Sequence, residues 1–294
     1  MIKVLKRRTK NFVRKVASFI QNSGKAQIHQ VMLNNQYRMM KKILDPSEMP
    51  SLKEVGFKVY SEFEEDGILL YIFAVIGTTN KRVVEICAGG GIECMAANLI
   101  VNHGWEGLLF DGDKKQVEAG IDFFASHPLT FYHPPIFKHA WITKENVNEL
   151  IRENGFVGEI DLLSLDIDGN DYYIMEAIHV VKPRVIICET HNMIPSELAL
   201  TIPYKSDFDF KRSGNLHRDF LGVSLLGMQK LLKKKGYRLI GAHRAGYNAI
   251  FMLNEICKDY FPEVSVESVH DNPYTKLWAQ TKWREIKDLP WVEI

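Results

Sequence analysis

Residues 83–113, VVEICAGGGIECMAANLIVNHGWEGLLFDGD, decide how the chain folds. Val83 to Ile86 is an apolar run with the length of a buried parallel strand, and Glu85 sits near its end. Cys87, Ala88, Gly89, Gly90 and Gly91 follow as a turn. Met95, Leu99 and Ile100 then share one face of a helical stretch. Gly107 to Phe110 reads as a second strand, stopped by Asp111, Gly112 and Asp113. The order strand, glycine turn, helix, strand, acid is one βαβ unit, with the acid about twenty residues beyond the glycines.

Glycine lacks Cβ, so the backbone at such a turn bends sharply and a ligand can approach it closely. An acid ending the next strand can accept both hydroxyls of a ribose. Together the two suit an adenosine-containing ligand; alone, the turn is equally an ordinary strand-to-helix connection. The pattern of Glu85, Cys87, Gly89 and Gly91 followed by Asp111 resembles the S-adenosylmethionine site of class I methyltransferases. Cys87 stands where that pattern has its first glycine. The nicotinamide fingerprint G-x-G-x-x-G fits less well, because Cys94 occupies its third glycine position. The resemblance implies cofactor binding by Glu85, Cys87, Ala88, Gly89, Gly91, Asp111, Gly112 and Asp166. Ala140, Trp141 and Ile142 match by position the segment that touches adenine in that family, and Trp141 is its candidate residue here.

A second stretch, Asp161 to Asp171, reads DLLSLDIDGND. It is a buried strand ending in acids, and ligands of open parallel sheets bind beyond the carboxyl ends of their strands. Pro183 to Glu189 is a further strand ending in an acid, followed by Thr190, His191 and Asn192. Asp166, Asp168, Glu189 and His191 are therefore the catalytic candidates. Two chemistries suit them. His191 or an Asp can take a proton from a hydroxyl as general base. Asp166 and Glu189 can instead hold Mg2+ or another divalent cation through oxygen. The competing structural reading, a polar turn that caps the next helix, accounts for Asn170 and Asp171 but not for Glu189. L-D-I-D-G and then P-R-V-I-I-C-E resemble FkbM-type methyltransferases, with Asp168 where that pattern has glutamate. This resemblance spans roughly residues 60–255 and implies transfer of a methyl group to a hydroxyl of a sugar, glycan or other small acceptor.

The rest of the chain frames these stretches. Its 294 residues, 46% apolar and 25% charged, describe a globular protein with a large core, and a net charge of +1 gives no reason to expect nucleic acid. Cys87, Cys94, Cys188 and Cys257 form no CxxC pair, which suggests a reducing, cytoplasmic setting. No segment is apolar for long enough to span a membrane. Residues 1–20 interleave Lys3, Lys6, Arg7, Arg8, Lys10, Arg14 and Lys15 with Val4, Leu5, Phe12, Val13, Val16, Phe19 and Ile20. This is a basic amphipathic helix, for packing on the domain or a second subunit, or for lying on an anionic membrane surface. Glu64, Glu65 and Asp66 suit the N-terminus of a helix, where negative charge is favoured. Thr143 is a candidate N-cap with Asn146 in the position of a capping-box acceptor. Residues 202–218 form a polar segment, either a lid or a surface loop. Tyr237–Gly241 and Asn248–Leu253 resemble the sixth and seventh, mutually antiparallel strands of class I methyltransferases.

The expected architecture is α/β: a Rossmann-like class I methyltransferase fold with a mostly parallel seven-stranded sheet and helices on both faces. The divisions expected are a helical extension over 1–50, the methyltransferase domain over 51–260, and a tail over 261–294 that holds Trp278, Trp283 and Trp291. The alternative function is a catalytically inactive Rossmann-fold protein that binds a nucleotide or a partner; a dehydrogenase is a weaker third.

Overall fold

A computed structural model describes residues 25–209 and 216–294. The basic helix expected over residues 1–20, and residues 210–215 of the polar segment, lie outside the described residues.

The apolar runs become strands. These are Arg82–Ile86 (β1), Glu106–Asp111 (β2), Ile136–His139 (β3), Gly158–Leu165 (β4) and Val181–Glu189 (β5). After the short Leu200–Thr201 (β6) come Tyr237–Ala242 (β7) and Asn248–Leu253 (β8). The large sheet has the order β3-β2-β1-β4-β5-β8-β7. Its first five members are parallel, β8 runs antiparallel to β5, and β7 antiparallel to β8. This is the Rossmann-like class I methyltransferase fold expected from the sequence.

Alternation along each strand sends its side chains to two separate cores. Val83, Leu109, Leu162, Val185 and Ile250 pack to one side, beneath Glu65–Ile76 (α2) and Ala97–His103 (α3). Val84, Phe110, Leu163, Ile186 and Phe251 pack to the other, with Val147–Glu153 (α5), Asp171–Ala177 (α6) and Leu225–Lys234 (α7). Lys114–Ser126 (α4) follows β2 and is capped by Asp113, whose side chain accepts from the Lys115 N–H.

Ile68 to Val75 of α2 are buried on every side, because Lys25–Ile43 (α1) covers the flank that faces away from the sheet. Tyr37 packs edge-on against Tyr71, the Gln30 and Asn98 amides pair at 2.9 and 3.0 Å, and the Lys41 ammonium donates to the Val75 carbonyl. Residues 25–43 of the expected extension are thus seated on the domain. The tail returns as well: Val292–Glu293 (β9) pairs antiparallel with β6, and Trp291 packs against Phe220 and His191. Before α5, Asn146 Oδ1 accepts from the Thr143 N–H, but the helix begins at Val147 with Asn146, not the expected Thr143, as its N-cap.

Among the described residues no helix is long and apolar enough to cross a membrane.

Candidate functional site

The glycine turn is fastened to β2. The N–H groups of Cys87 and Ala88 both donate to the Phe110 carbonyl, at 2.8 and 2.9 Å. Cys87, Gly89 and Gly91 have φ of 72°, 53° and 75°. Cys87 therefore adopts the left-handed backbone that suits a glycine, at a steric cost of roughly 1–2 kcal/mol, and the turn survives the departure from the pattern. Gly91 is a tighter requirement, because a Cβ there would lie 2.7 Å from the Phe124 ring.

Asp111 ends β2 and is buried. Its Oδ2 accepts from the Gly89 N–H at 2.9 Å, and its Oδ1 from the Asp113 N–H at 2.7 Å. It therefore joins the turn to the start of α4, and the Cys87 thiol hydrogen-bonds the same carboxylate.

Glu85 goes the other way, against the expectation from the pattern. Alternation puts it on the face of Val83, opposite Ile86. There Oε1 accepts from the Met95 N–H at 2.8 Å, and Oε2 accepts from the Ala96 N–H at 2.7 Å and the Cys94 thiol at 3.1 Å. Burial pushes its carboxyl up while these donors pull it down. Glu85 fixes the entry to α3 and is not among the residues lining a cavity beside Asp111.

That cavity is a narrow slot of about 80 Å³. Cys87, Asp111 and Gly112 form one wall, Trp141 and Ile142 a second, and Ile167, Asn170 and Phe208 a third. Ala88, Gly89 and Gly91 shape the turn without lining the slot. Gly112 lies so close to Trp141 that a Cβ would meet its ring at 2.9 Å. The polar segment reaches the slot: Trp141 Nε1 donates to the Ser206 carbonyl at 2.8 Å, and Asn170 Nδ2 to the Lys205 carbonyl at 2.7 Å. Phe208 sits on Gly169, where a Cβ would be 2.4 Å away. The Asn170 Oδ1 is buried and has no hydrogen-bond partner among the described residues.

A second, larger cleft of about 390 Å³ lies beyond β4 and β5. These strands are neighbours, with Leu165 opposite Cys188. Their register brings together the carboxylates of Asp166, Asp168 and Glu189, whose oxygens lie within 4.8 Å of one another. Burial, then Asp168 and Asp171, push the Asp166 carboxyl well up; burial, then Asp166, do the same to Glu189. The two carboxyls hydrogen-bond each other, and burial is the largest cause of the upward shift of each. Asp168 has φ of 55°. Asp171 accepts from the Ile167 and Gly169 N–H groups and is pushed up to about 6 by burial. It braces the turn, as the structural reading of residues 170–171 has it.

His191 lines the same cleft and is buried. Its Nε2 lies 2.7 Å from the Asp219 carbonyl, which assigns the ring proton to Nε2 and leaves Nδ1 as the basic nitrogen. Burial lowers its pKa, so the ring is neutral at pH 7. The turn from 166 to 170 is the wall common to both cavities: Asp166 and Asp168 face the cleft, Ile167 and Asn170 the slot.

Sequence reasoning did not assign Glu62, Tyr247, Asp219 or Trp278 to the site, yet all of them line the cleft. Glu62 stands in the acidic run before α2. Its neighbours there are structural: Asp66 Oδ2 accepts from the N–H groups of Val59, Tyr60 and Ser61, and Glu64 pairs with Arg244 at 3.0 Å. No local pattern separates Glu62 from them. Trp278 belongs to the tail, whose route back to the cleft is not written in any spacing.

No protein-family model and no curated protein matches the sequence. Solved structures do match in outline. An S-adenosylmethionine-dependent methyltransferase from Clostridium acetobutylicum is 10% identical, covering 76% of this chain and 99% of that one with a TM-score of 0.41. The N-terminal domain of EvdMO1, crystallised in the presence of S-adenosylhomocysteine and D-fucose, is 11% identical over 74% of this chain and 96% of that one, with a TM-score of 0.42. An O-methyltransferase from Bacillus cereus in complex with S-adenosylhomocysteine is 11% identical over 77% and 88%, with a TM-score of 0.40.

Proposed function

We propose that this chain is an S-adenosylmethionine-dependent methyltransferase of FkbM-like type, acting on a hydroxyl of a sugar, glycan or other small acceptor. The observation that carries the reading is the juxtaposition at the carboxyl edge of the sheet. A slot headed by Asp111 and a glycine turn shares a wall with a wider cleft lined by acids. The slot suits an adenosine, with Asp111 taking ribose hydroxyls, Trp141 stacking on the base and Cys87 and Gly112 permitting close approach. The bound cofactor supplies a methyl group on a positively charged sulfur, and the acids across the common wall favour that charge. The acceptor oxygen is held in the cleft, in line with the methyl carbon. Bond formation from that oxygen to the methyl carbon would break the carbon–sulfur bond and leave its electron pair on the sulfur of S-adenosylhomocysteine. The hydroxyl proton would go to Asp168 or to Nδ1 of His191, with Asp166 and Glu189 orienting the hydroxyl.

Asp166, Asp168 and Glu189 also form a donor set that fits Mg2+ or another divalent cation, since carboxylates held this close repel one another and a cation would offset that repulsion. Such an ion would lower the pKa of the hydroxyl. The inactive alternative drew on Cys87; its glycine-like backbone removes that motive.

The test is turnover with a panel of hydroxylated sugars and small alcohols. Asp166→Asn and Glu189→Gln should lower kcat by at least about a hundredfold while leaving the Kd for S-adenosylhomocysteine within a few-fold. Loss of activity with EDTA, restored by Mg2+, would support the cation. Near-normal turnover in both variants would remove these carboxylates from the chemistry.

A further inference from the structure

The outer face of α1 is apolar, and no described element covers it. Ile28, Met32, Met39 and Ile43 fall within about 60° of one another around the helix axis, with Val31 beside them. These five side chains are between 47% and 75% exposed. The opposite face is firmly seated. Gln27 and Gln30 hydrogen-bond to the Asn102 carbonyl and to Asn98, His103 reaches Gln30, Tyr37 packs on Tyr71, and the Tyr260 hydroxyl donates to the Lys41 carbonyl. The exposed stripe is thus the outer side of a helix whose inner side is packed on the domain.

Charge decides what covers it. Eleven of the 37 Lys and Arg, and none of the 36 Asp and Glu, fall in the first 44 residues, leaving 26 basic against 36 acidic residues in the rest. On α1 the exposed Asn35, Lys42 and Arg38 line one edge of the apolar ridge. A helix with an apolar ridge, cations along its edge and no acids matches an anionic bilayer surface, where buried apolar area and lipid charge add. A second copy fits worse, because a twofold contact would set this acid-free helix against itself. Methionine side chains are also adaptable enough to enter a disordered acyl layer.

We infer that α1 is a membrane-docking element, whose Ile28–Met32–Met39–Ile43 ridge enters the interface of an anionic bilayer while Arg38 and Lys42 contact lipid phosphates and carboxylates. The proposal does not depend on the methyl-transfer reading. The full chain is tested by co-sedimentation with phosphatidylcholine vesicles with and without phosphatidylserine, at low and high salt, and by light scattering for its oligomeric state. The expected result is a monomer that sediments only with phosphatidylserine vesicles and is released by salt. Met32→Glu with Met39→Glu should weaken binding about a hundredfold or more. Arg38→Glu with Lys42→Glu should weaken it at least about thirtyfold, since two attractions are lost and two repulsions added. All four positions are exposed, so the melting temperature reports folding of each variant; if one pair misfolds, the other carries the test. Absence of vesicle binding overturns the proposal. So does binding that both variant pairs leave unchanged, or a dimer that the methionine pair dissociates without any vesicle binding.

Discussion

Asp111→Asn separates the two tasks that Asp111 performs. In the fold its oxygens accept from Gly89 and Asp113; in the proposed complex they also accept from ribose. An amide keeps one acceptor and turns an NH2 toward the other backbone N–H. The lost charge-assisted bond and the donor left facing a donor should cost about 1.5–3 kcal/mol of folding stability. The same substitution weakens one ribose hydrogen bond by about 1.5–3 kcal/mol, roughly tenfold to a hundredfold in Kd. Asp111→Ala would be a poorer probe, since losing both acceptors frees the glycine turn and mixes the effects. Calorimetric titration with S-adenosylhomocysteine, run beside thermal melts without ligand, reads the two quantities independently. A lower melting temperature with unchanged affinity would make Asp111 a structural brace and refute its place at the ribose.

Three further outcomes follow from the same geometry. Glu85→Gln should destabilise the fold by about 1–3 kcal/mol in urea titrations, because an amide cannot accept from all three donors at the head of α3, while S-adenosylhomocysteine affinity stays unchanged. Trp141→Ala should weaken that affinity by about 1–3 kcal/mol, the worth of stacking a base on an aromatic ring, with little change in melting temperature. His103, whose Nε2 lies 2.7 Å from Gln30 on α1, has its pKa lowered by burial to about 4. The unfolded chain therefore binds this proton first. The neutral ring's contribution is intact above about pH 6.5 and is lost as pH falls toward 4, by up to about 3 kcal/mol. His103→Gln should flatten the pH dependence of unfolding in that window.

The strands were legible because their apolar runs are continuous, and Asp166 and Glu189 because each ends such a run. The βαβ unit was legible from glycines whose backbone conformation few other residues adopt. Two particulars show where local reading stops. Glu85 was placed with the cofactor by pattern, although alternation with Val83 turns it toward α3, where three donors meet it. Cys87 looked like a defect in the turn, yet its backbone takes the glycine conformation. The rest of the cleft is assembled from far apart: Glu62 before α2, Tyr247 in the β7–β8 connection and Trp278 in the tail meet only once the sheet and the returning tail are formed. Phe208 and Ser206 reach the slot through contacts to Gly169 and Trp141 that no sequence spacing encodes.

The central claim, that the slot beneath Asp111 and Trp141 takes the adenosine of S-adenosylmethionine, is tested most directly by calorimetric titration of the full chain with S-adenosylmethionine, S-adenosylhomocysteine and NAD. Saturable one-to-one binding of the first two, with no heat from NAD, is the predicted result. Binding of NAD alone, or of none of the three, would contradict it.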